Sequence, residues 1–97
     1  MSKASALSAA QIKTALETLP DWKFDQDALA AEFTFRDFRQ AMAFMLRVAF
    51  EAEALNHHPE WTNVYNRVSV RLNTHDVGDK VTAKDVDLAR RIEKIRG

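Results

Sequence analysis

A chain of 97 residues holds one hydrophobic core with little area to spare, so a single domain over residues 1–97 is expected. Fourteen basic side chains cancel fourteen acidic ones, which leaves no field to steer the protein onto nucleic acid or an anionic membrane and favours a small neutral or weakly charged partner. The absence of cysteine excludes disulfides, thiolate metal sites and cysteine nucleophiles.

Met1 to Ala10 lacks the basic start and apolar stretch of a signal peptide, and no later run approaches the roughly 20 apolar residues of a membrane span. A soluble, cytoplasmic protein is the expectation. Ser8 and Gln11 have the spacing of a capping box, Ile12, Ala15, Leu16 and Leu19 recur at helical intervals, and Pro20 follows. This predicts a first helix over residues 8–19. Residues 22–24 and 29–35 then read as two strands around the turn Asp25-Gln26-Asp27. In the second, Leu29, Ala31, Phe33 and Phe35 alternate with Ala30, Glu32 and Thr34.

Asp37 is placed to cap a long central helix, whose apolar stripe is Phe38, Ala41, Met42, Met45, Val48, Ala49, Ala52 and Leu55. Phe44 and Phe50 lie off that stripe, which suggests a subunit interface. Beyond Pro59, residues 61–65 form a strand. Val68, Val70 and Leu72, alternating with Ser69, Arg71 and Asn73, form another, with Asn66-Arg67 as the turn between them. Thr82 and Asp85 then cap a last helix carrying Val86, Leu88, Ala89, Ile92 and Ile95. Helix, hairpin, helix, hairpin, helix is an α+β order: a four-stranded antiparallel sheet with three helices packed on one face.

All three histidines fall at element ends. His57 and His58 sit where the central helix meets Pro59, and His75 ends the last strand. Antiparallel pairing brings the Trp61 end and the Thr74-His75 end together, so three imidazoles and an indole are expected at one end of the sheet. Three chemistries compete there. A zinc site is one, although consecutive side chains diverge and the i,i+4 spacing of HExxH is missing. Capping of the central helix by His57 and His58, with His75 a loop residue, is the second. Acid–base chemistry on a flat polar heterocycle, with Trp61 as a packing wall, is the third. Glu53, one turn before His57, either orients that imidazole or is a solvated helix carboxylate. Asp85 reads as a cap. Asn63, Tyr65 and Asn73 add hydrogen-bonding groups nearby. No serine–histidine–acid set, phosphate-cradling glycine loop or basic-aromatic stripe is present.

Together these residues resemble the pterin-4a-carbinolamine dehydratases, a family known in animals also as a dimerisation cofactor of a homeodomain transcription factor. The spaced set is Glu53, His57-His58-Pro59, Tyr65, His75 and Asp85. Around it lie Phe33-x-Phe35-x-Asp37-Phe38, Ala41-Met42-x-Phe44-Met45, Asn63-Val64-Tyr65-Asn66 and Thr74-His75-Asp76, so the likeness extends over residues 22–92. It implies the same fold of four strands and three helices. It also implies a hydro-lyase, 4a-hydroxytetrahydrobiopterin dehydratase, that turns 4a-hydroxytetrahydropterin into quinonoid dihydropterin and water and so recycles the pterin of aromatic amino acid hydroxylases. His57 and His75 would donate protons to the C4a hydroxyl, and His58 would position the pterin or assist transfer from N5. Glu53, Trp61 and Asp85 would support the substrate. No metal or organic cofactor is implied, and a homodimer or homotetramer is. The alternative is a non-enzymatic oligomerisation or partner-binding module acting as a transcriptional cofactor. Two departures stand out. Asn56 occupies a position that is acidic in some members, and Val77-Gly78-Asp79-Lys80 is more polar than the glycine-rich loop of the family.

Overall fold

Two tight hairpins generate the sheet of the computed structural model, which describes residues 5–97. Strands β1 (Lys23–Asp25) and β2 (Ala28–Thr34) are joined by Gln26 and Asp27. Both linkers take positive φ, 48° and 59°. A two-residue loop requires this if its twist is to match that of the strands. The first strand starts one residue later than the alternation suggests, because Trp22 is spent on the core. It is buried, and its indole N–H donates to Glu93 Oε1 at 2.9 Å.

The second hairpin pairs β3 (Glu60–Val64) with β4 (Arg67–Leu72), and its turn is Tyr65-Asn66, one residue earlier than the expected Asn66-Arg67. Tyr65 bears the positive φ, 50°. Remote partners explain the shift. Asn63 Nδ2 donates to the carbonyls of Tyr65 and Arg67, while Asn66 exchanges hydrogen bonds with the backbone of Phe35, donating from Nδ2 and accepting from the Phe35 N–H. Arg67 is thereby left to pair with Val64 and Thr34.

The sheet order is β1-β2-β4-β3, all antiparallel. Pairing of Leu29 with Leu72, Ala31 with Val70 and Phe33 with Val68 puts six buried apolar side chains on one face. Glu32, Thr34, Ser69 and Arg71 occupy the other, more exposed face. One face must therefore be covered, and three helices supply residues to that core. Helix α1 (Ala9–Leu16) forms the capping box: Gln11 N–H donates to Ser8 Oγ, and Ser8 N–H donates to Gln11 Oε1. It ends at Leu16 rather than Leu19. The next turns tighten to i→i+3 bonds, with Leu19 N–H donating to Leu16 O, and this swings Leu19 into the core.

Helix α2 (Phe38–Leu55) is capped by Asp37, and α3 (Ala83–Arg96) by the box of Thr82 and Asp85. The buried stripe of α2 is Ala41, Phe44, Val48 and Ala52. Phe44 is therefore a core residue and not an interface residue, its ring 5.2 Å from that of Phe33 and 4.8 Å from that of Phe35. The helix packs against α3 as well as the sheet, and this rotates the buried arc away from Phe38, which stays 47% exposed. Phe50 is 67% exposed. Among the described residues no helix is long and apolar enough to cross a membrane.

Replacing Phe44 with Ala should lower stability in urea unfolding by about 3–5 kcal/mol, the cost of an aromatic-sized cavity. Phe50→Ala should change it by about 0.5 kcal/mol or less, as at an uncovered surface position. A comparable loss at Phe50 would mean that its ring is covered in solution.

Candidate active site

The sharp exit of α2 separates the two adjacent histidines. Asn56 caps the helix in the left-handed conformation (φ 50°, ψ 44°), a geometry asparagine tolerates better than most residues. The His57 N–H donates back to Ala52 O at 3.0 Å. The chain thus turns under itself, so that His57 is buried while His58 stays exposed and Pro59 leads into β3.

His57 meets Asp85, the first-turn carboxylate of α3, with Nε2 at 2.5 Å from Oδ1. Asp85 is fully buried, and its other oxygen, Oδ2, accepts from the Thr82 N–H and from Thr74 Oγ1, each at 2.8 Å. With the Thr74 hydroxyl hydrogen committed to Asp85, the Thr82 hydroxyl donates to Thr74 Oγ1 at 2.7 Å. As an acceptor, Asp85 requires the hydrogen of His57 on Nε2, which leaves Nδ1 as the free nitrogen. Among the described residues no buried side-chain nitrogen or oxygen lacks a partner.

The other two imidazoles are held in the same manner at the surface. His58 Nε2 lies 2.8 Å from Glu53 Oε1, and His75 Nδ1 lies 3.0 Å from Asp79 Oδ1. Each ring thus engages one carboxylate through one nitrogen. All three rings line one open recess of about 260 Å³, shared with Asn56, Asn73, Thr74, Asp76 and Lys84. That volume lies at the lower edge of small-molecule sites, roughly 300–1,000 Å³. Three larger hollows, one between α2 and α3, one on the open sheet face and one beside Phe35 and Phe44, contain no histidine.

Three details depart from expectation. Glu53 pairs with His58 instead of His57, because the left-handed Asn56 turns His57 away from the exposed side of α2. Trp61 does not line the recess; it faces the core side of β3 opposite Val70, half-buried against the apolar cluster. Asp85 is at once the cap of α3 and the partner of His57. Thr74 stands out in the sequence only as part of the Thr74-His75-Asp76 stretch, and Asp79 and Lys84 carry no signal as site residues beyond the i,i+4 interval from His75 to Asp79. Among the described residues no group of three or more His, Asp or Glu side chains is spaced to hold a metal ion.

The electrostatics of His75 follow from its neighbours. The hydrogen bond from its ring to Asp79 raises its pKa above the ordinary 6.5 and the Asp79 charge adds to this, desolvation opposes it, and the Asp76 charge makes a lesser raising contribution. A pKa raised by folding stabilises the protein at pH below the unfolded value, and that contribution fades as pH rises through the folded value.

Comparison with known proteins agrees in family and fold. A family model described as Pterin 4 alpha carbinolamine dehydratase matches residues 5–95. A protein of Opitutus terrae is 63% identical over 89 residues, 92% of each chain. Another, of a Synechococcus species, is 48% identical over 92 residues, 95% of this chain and 98% of its own. Both are named "Putative pterin-4-alpha-carbinolamine dehydratase". The crystal structure of a transcriptional coactivator/pterin dehydratase from Brucella melitensis superposes with a TM-score of 0.91 at 40% identity, over 95% of this chain and 99% of that one.

Two measurements check the geometry. Asp85→Ala leaves His57, Thr74 and the Thr82 N–H without their shared acceptor and should cost about 3–5 kcal/mol in denaturant unfolding. In an NMR titration His75 should show a midpoint above 6.5, and a value at or below it would contradict the Asp79 contact.

Proposed function

From membership of the pterin 4 alpha carbinolamine dehydratase family, to which this chain belongs, we propose that it dehydrates a 4a-hydroxytetrahydropterin to quinonoid dihydropterin and water. His57, His58 and His75 are the acid–base groups of this reading. The observation that carries it is the recess bounded by three imidazoles, each with one nitrogen held by its own carboxylate. The reaction breaks the C4a–O bond, forms a C4a=N5 double bond and removes the proton of N5. It is redox-neutral and asks the protein for proton transfer and orientation. A positioned acid or base typically supplies about 10²–10⁴ in rate.

The carboxylates decide how each ring presents itself. Asp85 fixes the hydrogen of His57 on Nε2, so the neutral ring offers Nδ1 as a base and the protonated ring offers Nδ1–H as an acid. Glu53 does the same for His58. Asp79 engages Nδ1 of His75, leaving Nε2 for the substrate. In this mechanism His57 and His75 donate to the departing hydroxyl from different sides and His58 assists at N5. Asn56, Asn73, Asp76 and Lys84 offer polar contacts to the pterin rim. Trp61 supports the site from the core side of β3. The physiological setting of the reading is a cytoplasmic homodimer or homotetramer that returns the pterin of an aromatic amino acid hydroxylase, with 4a-hydroxytetrahydrobiopterin as the reference substrate.

A second reading is a partner-binding module acting in transcription. It draws on the coactivator name of the Brucella protein and on the exposed Leu46 and Phe50 of α2. Both activities are compatible with one chain, since Leu46 and Phe50 lie outside the histidine recess.

The purified protein, with chelator present, should accelerate dehydration of enzymatically generated 4a-hydroxytetrahydropterin over buffer. His75→Ala should lower turnover by about 10² or more while circular dichroism shows an unchanged melt, because that side chain is exposed. His57→Ala strips the partner from a buried carboxylate, so it should lose stability along with activity. A wild-type protein no faster than buffer would end the dehydratase reading.

A further inference from the structure

We propose that Asp79 is a positioning residue for His75, holding the imidazole by Nδ1 so that Nε2–H points at the hydroxyl to be expelled. The assignment rests on the dehydratase reading and extends it to the loop between β4 and α3.

The loop is built to make this contact. Its neck is closed by an antiparallel bridge between Thr74 and Lys80, with the Thr74 N–H donating to Lys80 O at 2.8 Å. Inside the neck, Thr74 O accepts from the N–H groups of both Val77 and Asp79. Gly78 and Asp79 take positive φ in succession, 64° and 59°. Glycine does so without cost, and aspartate is among the few other residues that adopt this region readily. These two consecutive left-handed residues fold the chain back so that the Asp79 carboxylate reaches the ring four residues earlier. Lys80 Nζ donates to Asp27 Oδ2 at 3.0 Å, tying the loop to the β1–β2 turn.

The carboxylates near the recess have separate assignments. Asp85 serves His57 and Glu53 serves His58, which leaves Asp79 and Asp76 for His75. Of these two, Asp79 makes the hydrogen bond to that ring and Asp76 contributes charge. The other groups facing the recess are His57 and His58 from the end of α2 and Lys84 from α3. The side chains of His75 and Asp79 are 92% and 64% exposed, and so open an ion pair adds little stability. Its consequence lies in ring orientation and in the proton that the ring carries. As the C4a–O bond breaks, the Nε2 proton passes to the departing oxygen and the N5 electron pair closes the C4a=N5 bond. The N5 proton leaves to a neighbouring base, and His75 remains neutral with its Nδ1–H on Asp79.

Two variants separate charge from orientation. Asp79→Asn tolerates the positive φ and keeps an acceptor for Nδ1–H but loses the charge, whereas Asp79→Gly loses both. The readouts are kcat and KM across pH, the NMR titration of His75 and the thermal melt. For Asp79→Asn, kcat near pH 8 should fall about three- to tenfold, a fraction of the 10²–10⁴ of a positioned acid, with KM unchanged. The deficit should shrink as pH falls, because protonation of the ring then depends less on the Asp79 charge. Asp79→Gly should be slower at every pH. The His75 midpoint should drop in both variants while the melt stays constant. Variants with wild-type pH profiles would overturn the assignment and leave the dehydratase reading intact, even if the NMR midpoint moved. A wild-type protein inert at every pH would remove the dehydratase reading itself, and the role of Asp79 with it.

Discussion

Burying a carboxylate in a core this small costs several kcal/mol unless its lone pairs are met, and Asp85 is met from three directions. His57 comes from the end of α2, Thr74 from the end of β4, and the Thr82 N–H from the start of α3. The ends of three elements are thereby fixed at one point beneath the recess, α2 from 28 residues away and β4 from across the loop that leads into α3. Local and tertiary demands coincide there, since the same oxygen that caps α3 also accepts from Thr74. The histidine cluster can exist at a defined separation because its floor cannot shift without uncovering that charge.

From this floor the three imidazoles grade outward in rigidity. His57 is packed and its tautomer is set by a buried partner, so added salt has little access to the pair. His58 and His75 are tethered by exposed carboxylates, pairs that water and salt weaken and that leave the rings freer to adjust. A guest entering the recess therefore meets one fixed ring and two adaptable ones.

Features encoded within one turn of chain were legible in the sequence. The capping boxes at Ser8 and Thr82, the cap at Asp37 and the alternation of Leu29, Ala31 and Phe33 all lead from spacing to structure, because their partners lie three residues or one strand pleat away. The fold class followed from their order. What escaped depended on distant atoms. The turn at Tyr65-Asn66 is placed by Asn63 and by the backbone of Phe35. Phe44 enters the core because α3 turns the buried arc of α2 toward it. At the site, helical spacing paired Glu53 with His57, but a single left-handed residue, Asn56, transferred that carboxylate to His58. Asp79 was invisible for the same reason, since the path of its loop depends on two successive positive φ angles that no hydrophobic pattern announces.

The strand order also determines when the protein can be completed. Its central pairing joins Leu29 to Leu72, so the first hairpin leaving the ribosome has no partner for the inner edge of β2 until the second hairpin has emerged. The histidine cluster waits longer still, because Asp85 and Lys84 follow β4. During synthesis the nascent chain therefore carries an unpaired β2 edge until β4 arrives, and the histidine cluster gains its floor only when α3 follows.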